Sequence, residues 1–233
     1  MRLDKYLANS GVGTRKEAKT LIKKKRITVD GVIVRSDSFN VVEGVNKVCL
    51  DGEEVIYKKF YYILLNKPQG YVSAVEDNLY PPVTDLVPEY AFAKLFPVGR
   101  LDLDTTGTLL LTNDGDLCHK LLAPKYHVDK TYYVEVDGTI KPTMVDEFKK
   151  GVMVNGEMTL PGELKILSEH SAELTIHQGK YHQVKRMFLT FDLKVTRLDR
   201  KTFAFLGHED IEPGKYRELT EEEENRLKEI VEH

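Results

Sequence analysis

Short apolar segments, separated by turns of hairpin length, fill most of the chain after residue 60. Their composition and spacing predict strands at 60–66, 71–75, 107–112, 131–136, 163–167, 172–177 and 194–205. Segments with helical periodicity are fewer, at 114–122, 142–150, 180–190 and 220–231. Many strands with few helices between them favour a mixed, largely antiparallel sheet over a doubly wound parallel sheet. The predicted fold class is therefore α+β.

The beginning of the chain has a different pattern, in which two short helices precede a hairpin. Thr14, with Glu17 three residues later, predicts a capping box at the start of the second helix. Two β-branched runs then flank Asp30-Gly31, a strong signal for a two-residue hairpin turn. We predict a small domain at 1–58 and a larger α+β domain at 59–233.

Charge is distributed unevenly between these two parts. Residues 1–36 contain ten basic and three acidic residues, a net charge of +7, whereas the other 197 residues carry a net charge of −10. A basic segment on an acidic body points to a polyanionic partner that is bound mainly by the basic segment. The alternative is a basic helix face that is merely solvated.

Composition excludes several classes of protein. No apolar run approaches the ~18–20 residues of a membrane-spanning helix, and the first residues lack the apolar stretch of a secretory signal. The two cysteines, Cys49 and Cys118, allow neither a disulfide framework nor a four-cysteine zinc site. We expect a cytoplasmic protein with no membrane partner. A monomer is favoured, since no amphipathic helix is left unassigned.

An acid-rich loop after residue 98 runs into a strongly apolar strand at 109–111. A loop pinned against a buried strand can hold a reactive carboxylate in one geometry. On residue type alone, Asp102, Asp104 and Asp114 are also explained as turn and cap residues. A glycosidase-type pair of Asp102 and Asp104 is a third interpretation, but it needs a cleft rich in aromatic residues and the chain has no tryptophan.

Three segments at the start of the chain together resemble an S4 RNA-binding domain. They are Arg2-Leu-Asp-Lys-Tyr-Leu, Thr14-Arg-Lys-Glu-Ala and Ile27-Thr-Val-Asp-Gly. The resemblance implies that the second helix and the adjoining loop bind structured RNA. The residues it implies as RNA contacts are Arg2, Arg15, Lys16, Lys19 and Lys23. Cations clustered on a rigid helix suit this role because they release counterions from phosphate.

The loop Gly99-Arg-Leu-Asp-Leu-Asp-Thr-Thr-Gly closely resembles the signature loop of the rRNA pseudouridine synthases. Three further segments resemble motifs of that family in the same order: Leu65-Asn-Lys-Pro-Gln-Gly70, Lys130-Thr-Tyr-Tyr-Val134 and 178–187. The last of these segments contains the sequence Tyr-His-Gln-Val-Lys-Arg-Met. This sequence is most similar to the RsuA-type branch of the family, which modifies small-subunit rRNA. Thr108 departs from the pattern, since the family usually has a large aliphatic residue there.

The resemblance implies the isomerisation of uridine to pseudouridine, in which the C1′–N1 bond breaks and C1′ is joined to C5 of the turned uracil. An isomerisation requires no redox cofactor and no energy source, so we expect no cofactor. Cys118-His119 with His127 is a poor zinc template, and we expect no metal. Asp102 must be ionised to attack the sugar or the base, or to take a sugar proton. The sequence leaves these three routes open.

The resemblance also implies the roles of individual residues. Asp102 corresponds to the catalytic aspartate, and Tyr132 to a tyrosine that stacks on the flipped uracil. A buried carboxylate needs a nearby cation to stay charged, and Lys185 would supply it, with Arg186 as the alternative. Adjacent residues on a helix point about 100° apart, so only one of these two should face Asp102.

Residues next to the predicted catalytic residues are expected to have structural or RNA-binding roles. We expect Tyr133 to lie on the opposite face of its strand, in the core or at the surface. Asp104 is predicted to order the loop by bonding Thr105, Thr106 or Arg100. His182 and Gln183 are predicted to order their motif. The further residues predicted to bind RNA are Lys67, Arg100, Lys180 and Arg186.

The predicted partner is rRNA, most closely the 16S rRNA of the small subunit or a small-subunit assembly intermediate. Two alternatives remain at this point: a synthase acting on large-subunit 23S rRNA, and a non-catalytic ribosome-assembly factor that keeps the fold. A non-catalytic factor predicts loss of the acid, the tyrosine or the basic partner, and all three residue types are present. The target uridine is not specified by the sequence, nor is the choice between free RNA and a ribonucleoprotein.

Overall fold

A computed structural model describes residues 1–232, which group into two compact units. Unit 1 consists of Met1–Tyr61 together with Pro88–Leu95, and unit 2 consists of Tyr62–Val87 and the chain from Phe96 onward. Within residues 1–232 there is no helix long and apolar enough to cross a membrane.

Unit 1 packs two helices and a small antiparallel sheet around one apolar cluster. The helices are α1 (Leu3–Asn9) and α2 (Arg15–Lys23), and the strands are β1 (Ile27–Val29), β2 (Val32–Ile33), β3 (Val48–Leu50) and β4 (Glu53–Glu54). The capping box predicted for α2 is confirmed, because the Thr14 hydroxyl accepts from the Glu17 backbone and the Glu17 carboxylate from the Thr14 backbone. The hairpin is confirmed too, since Asp30 and Gly31 both have positive φ between β1 and β2.

Unit 2 is built on one large sheet with four helices. Its strands are β5 (Tyr62–Lys67), β6 (Phe96–Pro97), β7 (Thr106–Thr112), β8 (Lys130–Val136), β9 (Met153–Val154), β10 (Glu157–Met158), β11 (Glu163–Ser168), β12 (Ser171–Ile176), β13 (Val195–Phe203), β14 (Leu206–Gly207) and β15 (Tyr216–Glu218). Its helices are α3 (Gly115–Leu122), α4 (Met144–Lys150), α5 (Gln183–Leu189) and α6 (Glu221–Glu229). Strands β9 and β10 form a separate small hairpin.

The large sheet has the order β11-β12-β8-β13-β7-β5-β15, with β6 and β14 added beside β7 and β13. In the part of the chain described, every pair of neighbours is antiparallel except β7 and β13. The predicted α+β class with a mixed, largely antiparallel sheet is therefore confirmed. Gly107 permits the parallel pairing, because a Cβ there would lie 2.4 Å from the Arg200 carbonyl oxygen.

One predicted strand is wrong. Residues 71–75 form no ladder and make only a single bridge, from Val72 to Pro82. The reason is that this segment bonds to a loop instead of a strand. The Ser73 hydroxyl donates to the Leu101 carbonyl oxygen and accepts from the Leu101 backbone N–H, both at 2.9 Å.

Candidate active site

The acid-rich loop lies between β6 and β7 and is held from several sides. Ser73 fixes Leu101 as described, and the Gln69 amide donates to the Asp104 carbonyl oxygen at 3.1 Å. The Lys67 ammonium donates to the carbonyl oxygens of Asp102 at 3.1 Å and of Thr105 at 2.8 Å. The backbone on both sides of the Asp102 side chain is therefore anchored, as a preorganised site requires.

The prediction that Lys67 contacts RNA is wrong. Its side chain is fully buried at the end of β5, and its three hydrogen bonds all go to loop carbonyl oxygens, the third to Pro68. Burial lowers the pKa of Lys67 to about 8, although the charges of Asp102 and Asp104 act in the opposite direction. Lys67 is thus an internal support of the loop.

Asp102 forms the centre of an ion cluster with a residue of α5. Lys185 Nζ lies 2.9 Å from Asp102 Oδ2, and His182 Nε2 lies 3.4 Å from Asp102 Oδ1. The side chains of Asp102 and Lys185 are 25% and 23% exposed, so the carboxylate stays accessible while it is paired. Of the two cations considered from the sequence, it is Lys185 that contacts Asp102. Arg186 instead lies over the ring of Tyr181, 4.9 Å from its centroid.

The expected partners of Asp104 are wrong. Its carboxylate bonds the same Lys185 ammonium at 2.6 Å, and not Thr105, Thr106 or Arg100. Burial lowers the pKa of Lys185, but its hydrogen bonds to Asp104 and Asp102 outweigh that effect and raise it above the ordinary value. Lys185 therefore keeps its charge at neutral pH and is shared between two carboxylates.

Tyr132 and Asp102 line the same cleft, which has a volume of about 590 Å³. Tyr132 is largely buried in β8, while Tyr133 points to the other face, where its hydroxyl donates to Glu135 and its ring lies below the Arg197 guanidinium. Opposite orientation of neighbouring residues is the geometry of any strand, and this prediction is confirmed.

The motif that contains α5 closes one side of the cleft. The Gln183 side-chain oxygen accepts from the Lys180 backbone N–H at 2.9 Å and thereby orders the start of the helix, as predicted. Lys180 is exposed and its ammonium pairs with Glu157 at 2.5 Å. Arg100 is exposed at the rim of the same cleft, and the structure of residues 1–232 gives it no hydrogen-bond or ion-pair partner.

The departure from the family pattern at Thr108 has a structural explanation. Thr108 is fully buried in β7, and its hydroxyl lies 2.7 Å from the Lys201 carbonyl oxygen and 2.9 Å from His208 Nδ1. His208 Nε2 lies 3.4 Å from Asp199, which also accepts from Thr106 at 2.5 Å. A polar chain therefore occupies the place that an aliphatic side chain would fill.

Sequence reasoning missed two cations in the cleft, Lys130 and Arg200. Both are buried and both line it. Lys130 could have been found, since it lies two residues before Tyr132 on the same strand and so shares its face. Nothing in the sequence identified Arg200, because its position depends on the pairing of β13 with β8 and β7.

The predicted RNA contacts of unit 1 divide into two groups. Arg2, Arg15 and Lys19 surround the fully buried Asp4, with the guanidinium of Arg15 at 2.8 Å and the ammonium of Lys19 at 3.8 Å. Lys19 and Arg2 also pair with Asp37. The second group, Lys16 and Lys23, is exposed on α2 and has no ion pair with any described residue.

Within residues 1–232, no three His, Cys, Asp or Glu side chains are placed to hold a metal ion. His127 packs against His177 with ring centroids 6.0 Å apart.

Comparison with known proteins accounts for both units. Residues 61–190 match the family model for RNA pseudouridylate synthase, and residues 1–46 match the S4 domain. The chain is 43% identical to the uncharacterized RNA pseudouridine synthase YtzG of Bacillus subtilis, covering 98% of this chain and 99% of the relative. It is 42% identical to the ribosomal small subunit pseudouridine synthase A of Vibrio cholerae, covering 96% and 97%.

A solved structure described as a pseudouridylate synthase is also similar. It is 35% identical, covers 97% of this chain and 99% of its own, and superposes with a TM-score of 0.69. The loop with Asp102, the strand with Tyr132 and the helix with Lys185 all fall within the part that the family model matches. The chain therefore belongs to the RNA pseudouridylate synthase family and carries an S4 domain at its beginning.

Proposed function

We propose that this protein isomerises a specific uridine of small-subunit 16S rRNA to pseudouridine. The observation that carries the proposal is that Asp102, which pairs with Lys185 at 2.9 Å, lines one cleft together with Tyr132. The names of relatives such as the Vibrio cholerae enzyme support the small subunit as the substrate.

In the proposed reaction, Asp102 is the catalytic carboxylate and Lys185 is the cation that pairs with it. The rigid support of the loop by Lys67 and Ser73 holds this carboxylate in one place. Tyr132 stacks on the uracil after it leaves the RNA helix, because an aromatic face returns part of the free energy lost on flipping. His182, in contact with Asp102, is a second group that orients the carboxylate.

RNA affinity in this proposal comes mainly from the S4 domain. The domain division at 58/59 then separates binding from chemistry, with the positive charge on the binding side. In the catalytic unit, Arg100, Lys180 and Arg186 contact the RNA backbone near the flipped nucleotide. We take the working form to be a cytoplasmic monomer.

The test is to map pseudouridine in 16S and 23S rRNA from a strain that lacks the gene, with wild-type and Asp102→Asn protein restored separately. The proposal expects one 16S pseudouridine to disappear, to return with the wild type and not to return with the variant. Loss of a 23S pseudouridine would reassign the substrate to the large subunit. Unchanged maps accompanied by defective subunit assembly would instead favour the non-catalytic assembly factor.

A further inference from the structure

Resting on the proposed isomerisation, we propose that Arg200, assisted by Lys130, is a catalytic residue that stabilises the negative charge formed on the uracil when its bond to the sugar breaks. Neither residue belongs to the aspartate–lysine pair. Both lie on the floor of the cleft that Asp102 and Tyr132 line.

Strand register places these groups on one face of the sheet. Arg200 on β13 is the direct partner of Tyr132 on β8. Directly opposed residues of antiparallel strands share a face and are close neighbours, and Lys130 is on that face because it precedes Tyr132 by two residues. A base that stacks on Tyr132 would therefore lie beside the guanidinium of Arg200.

The two cations share an aromatic neighbour, because the Phe203 ring centroid lies 5.4 Å from Lys130 Nζ and 5.2 Å from the Arg200 guanidinium carbon. Arg200 is 2% exposed, and its Nε donates to the Thr108 carbonyl oxygen at 2.8 Å while its Nη2 has no hydrogen-bond partner. The Lys130 ammonium donates to the Val128 carbonyl oxygen at 2.9 Å. Neither forms an ion pair with a described carboxylate. Burial and the nearby charge of Arg200 lower the pKa of Lys130 to about 8, although the charge of Asp129 acts in the opposite direction.

Buried cations that form no ion pair destabilise a fold, so two of them in one cleft point to a ligand that supplies negative charge. A phosphate is the less suitable ligand, because it lies on the outside of RNA and would meet exposed cations such as Arg100 and Lys180 first. Only a group inserted deeply into the cleft reaches Arg200. The flipped base is such a group, and its O2 and O4 are acceptors for the unpaired Nη2.

The reaction supplies the negative charge whichever route Asp102 takes. If Asp102 attacks C1′ or removes a sugar proton, the C1′–N1 bond breaks and its electron pair leaves with the uracil, where N1, O2 and O4 share the charge. If Asp102 attacks the base instead, the electron pair moves to O4 through the ring. In the second half, C5 bonds to C1′ while the bond between Asp102 and C1′ or the base breaks or, in the third route, the sugar proton is returned. The C5 proton is then lost and N1 gains a proton, so Asp102 is regenerated and the overall change is an isomerisation.

Stabilisation of this charge is an interaction made in the transition state and not with bound uridine. It should therefore appear in the rate of the chemical step and leave RNA affinity unchanged. Substitution of uracil by 5-fluorouracil provides a specific readout, since fluorine withdraws electrons and stabilises the same anion without the protein. A fluorinated base cannot lose a C5 proton, so the measured quantity is consumption of the target nucleoside.

The experiment compares wild type, Arg200→Met, Arg200→Lys and Lys130→Met in single-turnover reactions with rRNA fragments that contain uridine or 5-fluorouridine at the target. Consumption is followed by nuclease digestion and mass spectrometry, and Kd and thermal unfolding are measured for each protein. Arg197→Met is the matched control, because Arg197 is on the same strand but is exposed and pairs with Glu135.

We expect Arg200→Met to slow the reaction of uridine by about 100-fold, with Kd unchanged. The fold-loss in rate on the 5-fluorouridine substrate should be smaller than this by a factor of about ten or more. Arg200→Lys and Lys130→Met should show smaller losses of the same kind, and Arg197→Met none. An equal loss on both substrates would assign Arg200 a structural role. A raised Kd with a flatter salt dependence would assign it to a phosphate. Either result overturns the proposal.

Two further outcomes are distinguishable. If Arg200→Met does not fold, the test rests on Arg200→Lys and Lys130→Met. The proposal is overturned if neither variant loses more rate on the uridine substrate than on the 5-fluorouridine substrate. If the wild-type protein makes no pseudouridine in any rRNA fragment or in cells, it is the proposed function that fails and not this inference alone.

Discussion

Each unit of the molecule contains a carboxylate surrounded by cations, and the two clusters differ in which partner is exposed. In unit 1 the acid, Asp4, is completely buried, while the cations Arg2, Arg15 and Lys19 are about half exposed. In unit 2 the side chain of the acid, Asp102, is about a quarter exposed, and the side chain of its cation, Lys185, is exposed to a similar degree.

The difference indicates different functions for the same type of ion pair. Burial raises the pKa of Asp4, but hydrogen bonds from Arg2 and Arg15 outweigh it and lower the value to about 2. An acid of this kind is a permanent anchor that fixes the cations around it. Asp102 faces a cleft, so its carboxylate can reach a substrate while it is paired with Lys185. The comparison predicts catalytic effects in one cluster and effects on stability and affinity in the other.

The largest effect is expected at the accessible acid. Asp102→Asn should reduce pseudouridine formation by about 10⁴-fold, because it removes the charge without changing the volume. Kd for rRNA and thermal stability should change little. The measurement is single-turnover product formation, and a rate within about tenfold of wild type would contradict the assignment of Asp102. Asp104→Asn is the matched control and should keep measurable turnover, although it too loses a bond to Lys185.

The next effect is expected at the shared cation. Lys185→Met removes the ammonium that pairs with Asp102, leaves His182 as the neighbour of the carboxylate at 3.4 Å, and should lower turnover by about 10²–10³-fold. Single-turnover rates with a saturating rRNA fragment measure this loss. Arg186→Met is the control, and it should weaken RNA binding more than turnover, because Arg186 lies over Tyr181 and away from the acid.

These expectations draw on what could and could not be read from the sequence. The capping box of Thr14 and Glu17 was predictable because it depends on residues three apart. The opposite faces of Tyr132 and Tyr133 follow equally from local geometry. The prediction of an RNA contact for Lys67 was wrong because the sequence does not distinguish a buried lysine from a solvated one. What buries it is the distant loop whose carbonyl oxygens it binds.

The partner of Asp104 and the place of Arg200 were missed for the same physical reason. Asp104 meets Lys185 across 81 residues, and Arg200 enters the cleft only through the pairing of β13 with β8 and β7. Local pattern predicts which residues share an element, whereas long-range packing decides which elements meet. The catalytic residues could be predicted from the sequence because the motifs that contain them resemble those of a family in which these elements pack together.

A smaller effect is expected at the buried acid, and it concerns stability. Asp4→Asn should lower the free energy of unfolding of unit 1 by about 2 kcal/mol at neutral pH, because the lowered pKa of Asp4 stabilises the fold only while Asp4 is ionised. That stabilisation is present above the unfolded pKa, about 4, and is lost as the pH falls through the folded value of about 2. Hydrogen exchange of the α1 and α2 amides at several pH values measures it. A constant difference between the proteins from pH 7 to pH 2 would contradict this origin.

The smallest effect is expected from the cations of α2 that the buried acid does not hold. Lys16 and Lys23 are exposed and unpaired among the described residues, so both are available to phosphate. Replacing both by glutamine should flatten the log–log salt dependence of rRNA binding by about 1.4–1.8, as the loss of two phosphate contacts requires. Folding should be unaffected.

The matched pair is Arg15 and Lys19, which lie on the same helix but bond Asp4 and Asp37. Their replacement by glutamine should destabilise unit 1 as well as weaken binding, because it leaves the buried Asp4 carboxylate with fewer cations. Binding is measured at several salt concentrations alongside chemical unfolding for both double variants. If the Arg15 and Lys19 variant lost salt dependence without losing stability, the cations around Asp4 would have to leave it on binding RNA. The cluster in unit 1 would then be a reservoir of RNA contacts and not a fixed scaffold.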